Sequence, residues 1–173
     1  MTFLFATGAT GDKKSPVVNF TDKTDKGGED NSFHHRMSRI TLTFEAGDGV
    51  DFSVVKPERY TLDALILTGT FNTADGIATA DNGAQAESLG MDLADGNITS
   101  SVILFPQTAA SLPLVVNYKG QEYHATLTVP EGALQAGNKY TYTVKVRNKV
   151  LEVSEATIAK WNDIDGGEVD ADL

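Results

Sequence analysis

The groups most suited to chemistry in this 173-residue chain are three histidines and two acid-dense segments, and cysteine is absent. His34 and His35 adjoin in a segment that reads as a strand. Neighbouring strand residues point to opposite faces, so the pair cannot share one metal without a local distortion. His124 falls on the predicted solvent face of a hairpin, and His35 reads as a satisfied structural histidine beside Phe33 and Met37. No Gly-x-Ser-x-Gly turn argues for a serine nucleophile, and no phosphate-binding or dinucleotide fingerprint is present. Asp22, Asp25, Glu29 and Asp30 form one carboxylate cluster, and Asp163, Asp165, Glu168, Asp170 and Asp172 another. Neither has the spacing of a calcium loop, and Lys23 and Lys26 interrupt the first, so both read as solvated charge. Asn19-Phe20-Thr21 and Asn97-Ile98-Thr99 match the glycosylation acceptor pattern, which has meaning only in a host that glycosylates such sites. No catalytic residue, cofactor or metal site is therefore expected.

Composition narrows the partners. The formal net charge is −10, and no Lys or Arg occurs between Tyr60 and Tyr118. Nucleic acid is an unsuitable partner for a chain without a basic stripe. Val, Ile, Leu and Phe make up 43 residues, enough to build one globular core. No stretch approaches the ~20 apolar residues of a membrane helix. The opening Met1-Thr2-Phe3-Leu4-Phe5-Ala6-Thr7 lacks a basic start and a long apolar run, so no export signal is expected in it.

The elements that would have to position any site are strands. Apart from a hint of helical spacing near the C-terminus, period-2 patterns rich in Thr and Val dominate. They predict strands at Thr2–Thr7, Val17–Phe20, Phe33–Ala46, Val50–Lys56, Leu65–Phe71, Ser101–Phe105, Leu112–Tyr118, Glu122–Val129, Lys139–Arg147 and Val150–Ser154. Lys119-Gly120 predicts a two-residue hairpin turn with Tyr118 opposite Gln121, Val116 opposite Tyr123, Leu114 opposite Ala125 and Leu112 opposite Leu127. Asn148-Lys149 reads as a second tight turn. Phe33, His35 and Met37 share one parity and Ile40, Leu42 and Phe44 the other, so a β-bulge at Ser38-Arg39 is expected to return both triplets to the core. Thr10–Asp30 reads as a mobile loop, and Asp75–Gly96 as a long connection with at most one short strand. So many short strands in one domain suggest a sandwich.

Phe33-His34-His35-Arg36-Met37-Ser38-Arg39-Ile40 resembles the Phe-x-His-x-Leu-Ser-Lys-Ile strand of the Bacteroides-type fimbrillins, the Mfa-like and FimA-like pilus subunits, with Met37 and Arg39 as departures. Further blocks similar to that family follow in order: Thr70-Phe71-Asn72 with Asp75-Gly76, Val102-Ile103-Leu104-Phe105-Pro106-Gln107, and Ala136-Gly137-Asn138-Lys139-Tyr140-Thr141-Tyr142-Thr143-Val144. Ile158-Ala159-Lys160-Trp161 with Gly166-Gly167 resembles the closing motif. The resemblance implies an antiparallel Greek-key β-sandwich of transthyretin-like type in a pilus or surface-adhesion subunit. It further implies polymers built by strand complementation with other pilus subunits or with itself, at the cell surface, without enzyme activity or cofactor.

Family members are usually about twice as long, with a lipoprotein signal and a first β domain, so this chain resembles a C-terminal half. The expected division is an N-terminal strand remnant and mobile loop over 1–30, the sandwich over 31–167 and an acidic tail over 168–173. Thr2–Ala6 looks like the last strand of the missing domain, which makes Phe3, Leu4 and Phe5 the candidate strand-exchange segment. They would either pair across chains or fold back onto their own sheet edge. A second reading is a carbohydrate-binding sandwich module, for which exposed Trp or Tyr would be the cue; Trp161 reads instead as a lid on the core.

Overall fold

Alternating apolar and polar residues leave strands as the regular way to bury Val, Leu and Tyr. The computed structural model consists of strands and one 3-10 turn at Pro130–Gly132, and it describes residues 2–6, 33–94, 96–148 and 150–161. In chain order the strands are β1 (Leu4–Phe5), β2 (His34–His35), β3 (Ser38–Ala46), β4 (Arg59–Leu65), β5 (Gly69–Asn72), β6 (Ile77–Ala80), β7 (Glu87–Asp92) and β8 (Thr99–Leu104). They continue as β9 (Gln107–Thr108), β10 (Ser111–Tyr118), β11 (Gln121–Thr128), β12 (Ala133–Leu134), β13 (Asn138–Arg147), β14 (Val150–Val153) and β15 (Thr157–Lys160). The strand expected at Val17–Phe20, the loop Thr10–Asp30, both carboxylate clusters, the acceptor site at Asn19, Gly166-Gly167 and the divisions at 30/31 and 167/168 lie outside the described residues.

One sheet has the order β11-β10-β4-β7; the other has β14-β13-β3-β8, with β15 also on β13. Their inner faces share one core. Ile40, Leu42 and Phe44 of β3 and Tyr140, Tyr142, Val144 and Val146 of β13 meet Tyr60 and Leu62 of β4 and Leu112, Leu114 and Val116 of β10. Two inward tyrosine hydroxyls are paired across the layers. The Tyr142 hydroxyl donates to the Thr128 carbonyl at 3.0 Å, and the Tyr60 and Ser100 hydroxyls lie 2.9 Å apart. Burial holds the Tyr142 hydroxyl pKa up at about 12, with the neighbouring Tyr140 adding to the rise.

The β10–β11 hairpin has the expected register, with Tyr118 opposite Gln121 and Leu112 opposite Leu127. Lys119 and Gly120 take φ of 50° and 70°, the left-handed pair that matches the twist of the flanking strands. His124 is exposed on its outer face. The ladder pair Arg147 and Val150 closes the connection at 148–149, of which Lys149 lies outside the described residues.

Several expectations are corrected. β13 runs parallel to β3, with Lys139 opposite Arg39 through Val146 opposite Ala46, within an otherwise antiparallel set of ladders. Alternation reports which face is buried but is blind to strand direction. The ladder between β3 and β8 runs unbroken from Ser38 opposite Leu104, so no bulge exists at Ser38-Arg39. The chain bends instead at Arg36-Met37, and β2 and β3 are separate strands. Of the first triplet only Met37 is in the core, while Phe33 is 45% exposed. Ser38 shares the inward parity of Ile40 and donates to the Gln135 carbonyl at 2.6 Å, which satisfies a hydroxyl that is fully buried.

Val50–Lys56 is a turn rather than a strand, because the Asp51 carboxylate accepts the Ser53 N–H at 2.8 Å while the chain crosses between sheets. Hydrogen bonding from the Ser53 side chain first, then from its N–H, and least the attraction of Lys119, holds the Asp51 carboxyl below its usual pKa. β4 precedes the strand expected at Leu65–Phe71, of which β5 is the real part. β6 and β7 occupy the supposed connection Asp75–Gly96. The hint of helix near the C-terminus is β15, paired to β13 from Thr141 opposite Thr157 to Asn138 opposite Lys160.

Candidate interaction site

β1 and β2 form a two-stranded sheet of their own, with Leu4 opposite His35 and Phe5 opposite His34. The Arg36 N–H extends it by donating to the Phe3 carbonyl at 2.9 Å. Period-2 alternation turns Leu4 outward, 47% exposed, and turns Phe3 and Phe5 toward the body of the protein. There Phe3 stacks on Phe71 with centroids 4.3 Å apart and planes at 3°, and Phe5 meets the same ring edge-on at 6.0 Å. Arg36 closes the other side of Phe5, its guanidinium carbon 5.6 Å from the ring centre.

Phe71 stands on the β5–β6 hairpin, whose turn is shaped by side chains. The Asn72 carbonyl oxygen of the amide accepts the Ala74 N–H at 2.9 Å, and its amide nitrogen donates to Asp75 at 2.8 Å. Gly76 completes the turn at φ +71°, and a Cβ there would run into the Phe5 ring. Thr70-Phe71-Asn72 and Asp75-Gly76 thus make the seat of β1. No local pattern in that block links it to residues 3–5.

The other blocks converge on the same end of the sandwich. The Gln107 side chain behaves like a piece of strand, accepting the Ile66 N–H at 2.8 Å and donating to the Ile66 carbonyl at 3.0 Å. Gly137, at φ +73°, donates to the Met37 carbonyl at 3.0 Å and accepts the Trp161 N–H at 2.6 Å. Trp161 stacks on His35 at 3.7 Å, and the Arg39 guanidinium lies 5.5 Å from the Trp161 ring centre. The Thr2 hydroxyl reaches His35 Nδ1 at 3.3 Å, so the residues just before β1 and just after β15 meet through one imidazole.

Beside the seat lies an apolar cavity of about 410 Å³, lined by Phe3, Met37, Leu67, Leu89, Ile103, Leu104 and Phe105. It opens between β7 and β8, the outermost strands of their sheets on that side. His34 and His35 lie at this end and His124 on the other sheet, and no group of three metal-ligating side chains occurs among the described residues.

Fold and seat together define an all-β sandwich with a terminal strand docked beside it. The chain belongs to the fimbrillin-like family, whose model matches residues 2–161. None of the curated proteins matches it. Among solved structures, a candidate cell adhesion protein from Bacteroides ovatus is 27% identical with a TM-score of 0.66, over 95% of this chain and 62% of that one. A candidate cell adhesion protein from Bacteroides uniformis, 19% identical with a TM-score of 0.63, is covered over 57% of its length by 78% of this chain. The C-terminally truncated tip fimbrial protein Mfa3 from Porphyromonas gingivalis, 11% identical with a TM-score of 0.56, is covered over 59% by 88% of this chain. The last two likenesses show the fold alone. The chain spans 57–62% of the length of these structures.

Proposed function

We propose that the chain is a structural, non-catalytic subunit of a bacterial cell-surface fimbria, joined to other pilus subunits or to copies of itself by strand complementation at the seat of β1. Family membership supports the pilus role, and the construction of the seat supports the mode of joining. A two-pair ladder holds β1, against eight pairs between β3 and β13. Burial of Phe3 and Phe5, worth ~1.5–3 kcal/mol for each side chain when complete, supplies most of the holding. Such a segment sits at the low end of the local stability range and can leave without unfolding the sandwich. A strand from another chain would find the same Phe71 ring and the same backbone groups of His34, His35 and Arg36.

Light scattering tests this on the intact chain and on a variant lacking residues 1–14. The intact chain is expected to associate with rising concentration and the shortened one to stay monomeric and melt lower. Two monomers of equal stability would contradict the proposal.

A further inference from the structure

The connection from β6 to β7 carries Asp81-Asn82-Gly83-Ala84, which holds the single Asn-Gly pair of the chain. The ends of this turn are tied and its tip is not. The Asp81 N–H donates to the Thr68 carbonyl at 3.1 Å, and the Ala84 N–H closes the turn on the Asp81 carbonyl at 3.3 Å. Asn82 and Gly83 between them are exposed, and neither the Asn82 side-chain amide nor the Gly83 N–H has a hydrogen-bond partner among the described residues. Gly83 stands at φ +88°, and a Cβ there would meet nothing within 4 Å.

We propose that Asn82 is a modification site, at which the folded chain rearranges to isoaspartate or aspartate with water as the only co-reactant. The Gly83 backbone nitrogen attacks Cγ of Asn82. The new N–Cγ bond closes a succinimide ring, the Cγ–Nδ2 bond breaks, and Nδ2 leaves as ammonia with the proton that Gly83 gives up. Water then opens the ring. Hydrolysis at Cγ gives aspartate, and hydrolysis at the Asn82 main-chain carbonyl gives isoaspartate, whose backbone runs through Cβ and Cγ. The reaction needs an N–H free of hydrogen bonds, an amide free to turn toward it and no side chain on the following residue, which leaves the peptide plane free to tilt. Among the described asparagines only Asn82 meets all three conditions. The Asn72 amide is held by Ala74 and Asp75, and the β-branched Ile98 follows Asn97. Asn117 and Asn138 lie in ladders opposite Glu122 and Lys160, and Lys149 follows Asn148. Either product adds one negative charge beside Asp81 to a chain already at −10. Isoaspartate also lengthens the turn by one backbone atom. Because β7 begins only at Glu87 and an exposed loop tip absorbs such a change, the modification marks the age of a folded chain and leaves the β4–β7 ladder in place.

The test is to incubate the full chain at mildly alkaline pH, once folded and once in guanidinium chloride, and to follow each asparagine by peptide mass spectrometry with a fragmentation that separates isoaspartate from aspartate. In the folded chain Asn82 is expected to convert about tenfold faster than any other described asparagine, and within about threefold of its own rate in the denaturant. A larger slowing of Asn82 by folding would show that the turn protects it and would overturn the assignment. Faster conversion at another described asparagine of the folded chain would overturn it as well.

Discussion

Phe44→Ala is expected to cost about 3–5 kcal/mol, a large share of the ~5–15 kcal/mol that stabilises an ordinary domain. Phe44 is 0% exposed and lies where the two sheets meet, its ring 5.6 Å from that of Tyr60 at 45°. Removing the ring forfeits its transfer free energy and leaves a cavity between layers whose backbones are fixed by ladders on both sides, so collapse is limited. Leu4→Ala, on the outward face of β1, should stay within about 0.5 kcal/mol. Urea titrations of the two variants and the parent provide the measurement, with the slope m unchanged if only the native core is affected. A Phe44→Ala cost below about 1 kcal/mol would mean that the sheets do not share the core described above.

Alkali should unfold the protein through Tyr142. Its pKa is about 12 in the folded chain, raised first by burial and then by Tyr140, whereas an unfolded tyrosine titrates near 10. Below pH 10 both states hold the proton, and the full stability is present. Between 10 and about 12 the unfolded chain releases the proton and the folded chain keeps it, so stability falls by roughly 1.4 kcal/mol for each pH unit. Tyr60 is shifted in the same direction by burial, partly offset by its bond to Ser100. Lysine deprotonation adds its own slope in any alkaline series, so the comparison with Tyr142→Phe isolates the effect. That variant loses the bond to the Thr128 carbonyl, at a cost of about 0.5–1.5 kcal/mol near neutrality, but should decline less steeply above pH 10. Identical slopes for parent and variant would rule out Tyr142 as the source.

The parts of the fold legible in the sequence are those where parity and turn chemistry agree. Leu112, Leu114, Val116 and Tyr118 alternate without interruption into a turn that ends in Gly, and their register with β11 follows residue by residue. β4 escaped because Ala64 adopts φ 62° and the pairing shifts between Leu62 and Leu65, so that Tyr60, Leu62 and Leu65 all face inward at unequal spacing. β7 escaped for another reason. At the edge of its sheet it turns only Leu89 and Met91 toward the core, and Gly90 between them lies beneath the Arg59 guanidinium. Segment 3–5 was legible as an apolar strand, but its seat was not. Phe71 meets Phe3 across a long sequence separation that no local pattern encodes, and Gly76 is recognisable as part of the seat only once the Phe5 ring is seen against it.

Strand exchange at the β1 seat can be read covalently, because the chain has no cysteine of its own. Leu4 and His35 face each other in the β1–β2 ladder, and the ~4.5–5.5 Å between Cα atoms of such neighbours lies within disulfide reach. Two single variants, Leu4→Cys and His35→Cys, are made in a Gly76→Ala background, where the added methyl displaces Phe5 and loosens β1 without altering it. The two chains are mixed under oxidising conditions, and the products are mapped by non-reducing electrophoresis and peptide mass spectrometry. The account predicts a disulfide between position 4 of one chain and position 35 of the other. Links only between like positions, or none between chains, would contradict it.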